Sequence, residues 1–303
     1  MEAASLFTGT PRLKLLAENL NRIAQTDVMV IFGGETGTGK RVWAEYIHKQ
    51  SRRADRIFHS VNITSLTTTL IESELFGVAR GIYTGQSVNR DGHIFAANNG
   101  TLFLDEIGDL SMDAQTKMLH VFDEANVTPV GSTRSRPINI RFIFATKHDI
   151  RSLIEEGKFR EDLYYRILTE YIHLPSLREN PDEIPALTDY ILDRWRRKLH
   201  RRFKLTQTAL DRLTTHTWPG NIRELEKAIE RTVMAATSSE LSESDFVLGK
   251  NGANIVPLAD HLDTERSRYV KKAVALCGGD RGQAAKRLGV GINVIQKIVG
   301  CIA

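Results

Sequence analysis

The densest run of chemistry-bearing residues is Gly33-Gly-Glu-Thr-Gly-Thr-Gly-Lys40. Gly34, Gly37, Gly39 and Lys40 fit the spacing GxxxxGK, and the run follows the apolar segment Val28-Met-Val-Ile-Phe32, so it reads as strand, glycine turn and helix start. Glycines at these places let backbone N–H groups turn inward around phosphate oxygens. The following helix presents its positive end, and Lys40 adds a point charge for the terminal phosphates. Glu35, Thr36 and Thr38 complete the loop. Arg41 stands where the general motif has the Ser or Thr whose hydroxyl reaches Mg²⁺, so the metal must be held by other residues.

A second constellation is Thr101-Leu-Phe-Leu-Asp105-Glu106, an apolar strand that ends in two acids. Downstream of a phosphate loop this pair divides the labour of phosphoryl transfer: Asp105 would hold the Mg²⁺ shell, and Glu106 would orient an attacking water. Together the two segments predict hydrolysis of ATP.

Positioning these groups requires a sheet whose strand ends converge. Five apolar runs read as strands, Val28 to Phe32, Ile57 to Asn62, Thr101 to Asp105, Ile138 to Thr146 and Ile167 to Leu174, and helical patterns lie between them. The alternation predicts an α/β fold, a parallel sheet buried on both faces under helices, over residues 1–174. Residues 175–236 turn helical, with Pro181 to Trp195, Thr206 to Thr214 and Asn221 to Ala235 as candidates, and predict a small all-α lid. Residues 237–263, rich in Ser, Gly, Asn and Asp, read as a linker, and residues 264–303 as a second compact unit.

The 303 residues suffice for about two domains, and 41% hydrophobic with 26% charged residues exclude a disordered or fibrous chain. Cys277 and Cys301 form neither a disulfide framework nor a metal cluster, no apolar run is long enough to span a membrane, and a secretory pattern is absent; a cytoplasmic protein is expected. Lys and Arg exceed Asp and Glu by only 41 to 37, yet seven bases crowd between Arg194 and Lys204, which reads as a solvated helix face.

Several segments resemble the AAA+ domain of bacterial enhancer-binding proteins, the activators of sigma-54 RNA polymerase. They are Glu72-Ser-Glu-Leu-Phe-Gly77, Gly100 to Gly108, Phe159-Arg-Glu-Asp-Leu-Tyr-Tyr-Arg166, Leu174 to Glu179 and Trp218-Pro-Gly-Asn-Ile-Arg-Glu-Leu225, in the family's order. The resemblance implies that Arg160 and Arg166 reach into a neighbouring subunit's ATP site, which requires a ring, expected to be a hexamer of this chain alone or with a paralogue. It implies that Arg223 senses the γ-phosphate from the lid and that Asn62 restrains Glu106. Gly81-Ile-Tyr-Thr-Gly-Gln86 is similar to the loop that touches sigma-54, through Tyr83, Thr84 and Gly85, with Ile82 and Gln86 in place of two alanines. Arg41 stands where the family has an acid, Lys147 where it has Asn, and Phe95 where it has Glu.

Near the C-terminus, Arg266 to Leu276, Gln283 to Val290 and Asn293 to Val299 have helix-turn-helix spacing. The segment looks like the Fis-type DNA-binding domain of the same activators, with Arg287, Asn293, Gln296 and Lys297 as candidates for DNA contact. The expected whole is a sigma-54-dependent activator that docks on upstream enhancer DNA and uses ATP and Mg²⁺ to remodel the polymerase holoenzyme. The altered loop keeps open an alternative, an ATP-responsive DNA-binding regulator that no longer remodels sigma-54. The pattern starts within ten residues of Met1, so control is expected from outside the chain, through an inhibitory or co-activating protein.

Overall fold

The computed structural model describes residues 10–67, 70–82, 89–248, 269–270, 272–292 and 295. Residues 1–248 and 249–303 form two compact units. The first is built on five parallel strands, β1 (Val30–Gly33), β2 (Phe58–Asn62), β5 (Thr101–Asp105), β8 (Arg141–Thr146) and β9 (Glu170–His173), in the order β2-β5-β8-β1-β9. Helix α1 (Pro11–Ala24) precedes them, and between them run α2 (Lys40–Gln50), α3 (Ile71–Phe76), α4 (His93–Ala96), α5 (Met112–Glu124), α6 (Ile150–Glu155) and α7 (Glu161–Ile167). Short antiparallel pairs β3 (Gly77–Val78) with β4 (Arg90–Asp91), and β6 (Asn126–Val127) with β7 (Arg136–Pro137), complete this part.

The strand side chains alternate between two cores, as the two-residue period of a strand dictates. Val30, Phe32, Phe103, Ile143 and Ala145 face Leu13, Leu20, Trp43 and Ile47 of α1 and α2. Ile31, Leu102, Leu104, Phe142 and Phe144 face Leu75, Met118, Phe122 and Leu163 on the other side. Burial on both faces holds for β1, β5 and β8 but not at the sheet edges, where β9 leaves Tyr171 48% exposed and β2 is only partly covered. Two strand bounds also differ from those expected. Residues 138–140 precede β8 rather than belonging to it, and Ile167 is the buried last residue of α7, not the start of a strand.

The lid consists of α8 (Ile184–Leu199), α9 (Gln207–Thr215) and α10 (Asn221–Ala235), with β10 (Lys204–Leu205) paired in parallel to β11 (Glu240–Leu241). Its core gathers Leu187, Ile191, Leu213, Trp218, Leu225 and Ile229. Leu241 and Phe246 are buried in the same core, so residues 237–248 belong to the lid and not to a linker. The polar composition of that stretch concealed two apolar anchors. The basic run ends α8 and is largely used within the lid: Arg194 pairs with Glu226 at 2.7 Å, Arg196 with Asp193 and the Phe203 carbonyl, and Arg201 donates to Ala236 O.

In the second unit the helix Arg281–Leu288 starts at Asp280, whose carboxylate accepts from Gln283 N at 3.0 Å, and ends at Gly289 in the left-handed region. Ala284 and Ala285 are buried, and Ala285 packs with Val270 and Ile295. The expected third helix lies almost wholly outside the described residues. No helix among the described residues is long and apolar enough to cross a membrane.

Candidate active site

Backbone geometry shapes the loop between β1 and α2. Gly34, Gly37 and Gly39 all have positive φ. At Gly37 a side chain is excluded twice over, since φ is +86° and a Cβ would lie 2.2 Å from the carbonyl oxygen of Gly220 in the lid. Lys40, 6% exposed, opens α2 and donates to the carbonyls of Gly34 (2.7 Å) and Glu35 (3.0 Å). Burial pushes its ammonium below the ordinary lysine pKa, against the opposing pull of Glu106 and Asp105. Thr38 is buried, with its hydroxyl on Glu35 O. The Arg41 side chain turns outward to Glu45 at 3.0 Å, and its backbone N–H lies in the first turn of α2.

The end of β5 delivers the two acids. Asp105 is raised above the usual carboxylate range by burial and by the neighbouring Glu106 charge, with Lys40 opposing. Its Oδ1 is buried and has no hydrogen-bond partner among the described residues. A lone anionic oxygen beside a phosphate loop is the donor a hard cation takes, so the site fits Mg²⁺ on this observation. Glu106, 7% exposed, adopts φ 62°, which lifts its carboxylate off the strand line, and Oε2 accepts from the backbone N–H of Lys147 at 2.9 Å.

Asn62 lies in register with Asp105, but its carboxamide oxygen accepts from Thr64 N (2.9 Å) and Thr64 Oγ1 (2.6 Å). No hydrogen bond joins it to Glu106 among the described residues, and the expected restraint is absent in this geometry. The turn-forming sequence Asn-Ile-Thr-Ser accounts for this, because a short side chain caps the turn behind its own strand.

The lid closes over the loop through three residues. Glu35 receives Arg178 through both guanidinium nitrogens, one contact at 2.7 Å, and Asn221 Nδ2 at 3.1 Å. Asn221 is fully buried, donates also to Thr36 O (3.0 Å) and accepts from Leu177 N (2.8 Å). Arg223 follows on α10, with its Cβ 3.3 Å from where a Gly37 Cβ would sit, and its charge acts on Lys40 and Asp105.

Arg160 and Arg166 are not gathered into this cluster. Arg160 holds Asp162 at 2.6 Å and Thr116 Oγ1 at 3.1 Å, while the exposed Arg166 donates to Phe122 O and Asp123. Phe95 stacks under Arg136, whose guanidinium lies 3.2 Å from the ring centroid. Tyr83, Thr84 and Gly85 lie outside the described residues, as do Asn293, Gln296 and Lys297, while Arg287 is exposed on its helix. Ile82 packs against Gly131, where a Cβ would meet its Cδ1 at 2.2 Å.

Sequence reasoning missed an apolar cavity of about 60 Å³ beside the loop, lined by Leu13, Val42, Leu174, Leu177, Leu187 and Ile222 with Thr38 and Gly39. Its rim is tied by Arg12 and the buried Glu183 at 2.5 Å. These residues come from five separate segments and have no spacing that marks them; only the Leu-rich α1 ahead of the phosphate loop carried a signal.

Residues 6–173 match the Sigma-54 interaction domain family and residues 178–249 the AAA+ ATPase lid domain. The chain therefore belongs to the Sigma-54 interaction domain family, on a parallel-sheet AAA+ P-loop NTPase fold with a helical lid. Among curated relatives, the transcriptional regulatory protein ZraR of Escherichia coli O157:H7 is 37% identical over 287 residues, covering 93% of this chain and 65% of that protein. The Nif-specific regulatory protein of Azotobacter vinelandii is 37% identical over 292 residues, 93% of this chain and 55% of that one. The crystal structure of NtrX from Brucella abortus superimposes with a TM-score of 0.72 at 27% identity, covering 96% of this chain and 68% of that chain. The same protein has been solved with ADP and with ATP. The chain thus spans at most about two thirds of the length of these relatives.

Proposed function

We propose that this chain is a sigma-54-dependent transcriptional activator that hydrolyses ATP as a ring oligomer, a hexamer, to remodel RNA polymerase holoenzyme and drive promoter opening. The observation that carries the reading is the convergence of four charged groups, Lys40, Asp105, Glu106 and lid-borne Arg223, on one strand end and one glycine loop. ATP lays its phosphates along the N–H groups of residues 34 to 41, with its base on the side of the small apolar cavity. Asp105 would hold Mg²⁺, which supplies charge neutralisation on the phosphates. Lys40 and Arg223 meet the terminal phosphate, Glu106 orients the water that attacks it, and Arg160 or Arg166 of the adjoining copy meets the charge that develops. The second unit docks on enhancer DNA through Arg287, Asn293, Gln296 and Lys297, with phosphate contacts that make binding fall steeply with salt. An inhibitory or co-activating protein supplies the control.

Ile82, seated on Gly131 at the start of the loop, favours a second reading, an ATP-responsive DNA-binding regulator whose loop no longer engages sigma-54. Open-complex formation on a sigma-54 promoter, with ATPase rate followed in parallel, separates the two. The activator opens the promoter and Tyr83→Ala hydrolyses without opening it; hydrolysis without opening by the wild type rejects the activator reading and selects the second.

A further inference from the structure

Lys147 follows the last residue of β8 and meets Glu106 in two ways. Its backbone N–H donates to Glu106 Oε2 at 2.9 Å, and its Nζ stands 3.9 Å from the same oxygen. The ammonium is braced by Asp109 Oδ2 at 3.1 Å, and the other oxygen of Asp109 is engaged by His148 Nε2 at 3.0 Å. Glu106, Asp109 and His148 bring three ligand-type atoms within 4.8 Å of one another, and the ammonium stands by both carboxylates, where a divalent cation would otherwise be drawn. The remaining oxygen of Glu106 has no hydrogen-bond partner among the described residues, and Asn62 has turned to Thr64.

We propose that Lys147 is a positioning residue for hydrolysis: its ammonium, braced by Asp109, fixes the Glu106 carboxylate with one oxygen anchored and the other presented to the attacking water. The inference rests on the ATPase reading above. Asp105 and Glu106 are adjacent, poorly hydrated acids whose charges repel; Lys40 faces both, and Lys147 adds a second cation on the Glu106 side. Burial pulls the Lys147 pKa down, but the Asp109 hydrogen bond and the charges of Glu106, Asp109 and Asp105 outweigh it and raise it, as befits a cation held among acids. The backbone N–H anchors Oε2, and the ammonium, 3.9 Å from the same oxygen, adds a charge contact that favours the anchored arrangement.

The alternative chemistry for this ammonium is direct contact with a phosphate, and a double-mutant cycle with Asp109 distinguishes it. ATPase kcat and KM, with the affinity for fluorescent ADP, are measured on the full chain for Lys147→Met, Lys147→Arg, Asp109→Asn and the double variant Lys147→Met with Asp109→Asn. The expected result is a kcat lowered about tenfold by Lys147→Met, with KM and ADP affinity within about twofold of wild type. Lys147→Arg restores most of the rate. Asp109→Asn gives a smaller loss, and the double variant is no slower than Lys147→Met. An unchanged or raised kcat in Lys147→Met, a loss carried by KM, or additive losses in the double variant overturns the proposal. A wild type that binds ADP but does not hydrolyse ATP overturns the ATPase reading itself, and this inference with it.

Discussion

Glu35 in the phosphate loop and Arg178 in the lid form a two-pronged ion pair, with one contact at 2.7 Å, that spans 143 residues of sequence. Arg178 above all, with Asn221 adding to it against the cost of burial, holds the Glu35 carboxyl at about 2, well below the usual range. A folded-state pKa depressed in this way stabilises the fold fully above the unfolded value and loses that contribution as pH falls from about 4.5 toward 2. The pair is half exposed, so its worth is on the order of 1 kcal/mol or less. Arg178→Ala should lower the melting temperature by a few degrees at pH 7, and the gap from wild type should narrow between pH 5 and pH 3 in a calorimetric series. A gap that stays constant over this range would mean that Arg178 acts through packing alone.

Glu106→Gln keeps the size of the side chain and its hydrogen bond from Lys147 while removing the negative charge that orients water. ATP turnover should fall by roughly 10² to 10⁴ with nucleotide affinity retained. Turnover within a factor of three of wild type, read by phosphate release, would assign water activation to another group.

The chemistry at the strand ends was legible because it resides in contiguous runs: a glycine loop after an apolar strand, and Asp105-Glu106 at the end of another. Periodicity likewise marked the three central strands and α10. Three things were hidden. Apolar residues that flank a strand lengthen its run, so Ile167 and Ile138 looked like strand residues although they belong to a helix end and a connection. The apolar cavity draws on segments far apart in the chain, which no local spacing encodes. Side-chain direction was hidden too: nothing in the order of residues says that Arg41 turns to Glu45, that Asn62 caps its own turn, or that Lys147 reaches Asp109.

Gly37→Ala tests the fit between loop and lid. The added methyl meets Gly220 O in a backbone conformation that costs an L-residue about 1 kcal/mol before any clash. Since the obstacle is a backbone carbonyl, relief requires the lid to move. Binding of fluorescent ADP should weaken by at least about tenfold, while far-ultraviolet circular dichroism stays that of wild type. Wild-type affinity would place the closed lid of this structure outside the binding-competent state.

Trp218 links lid stability to the same contact. It is wholly buried, meets the tilted ring of His216 with centroids 4.5 Å apart, and donates its indole N–H to Leu213 O at 2.8 Å. Two residues later come Gly220, which abuts Gly37, and three residues later Asn221, which holds Glu35 and Thr36. Trp218→Ala removes the largest side chain of the lid core and should cost about 3 to 5 kcal/mol in denaturant unfolding of the first unit. Trp218→Phe keeps most of the volume and loses the indole hydrogen bond, so about 1 to 2 kcal/mol is expected. If the segment from Trp218 to Asn221 moves as one piece, nucleotide affinity should fall in the same order, Phe before Ala, at temperatures where both variants remain folded. A large loss of stability with wild-type affinity would show that Asn221 is held by the loop itself, through Glu35 and Thr36, independently of the core behind it.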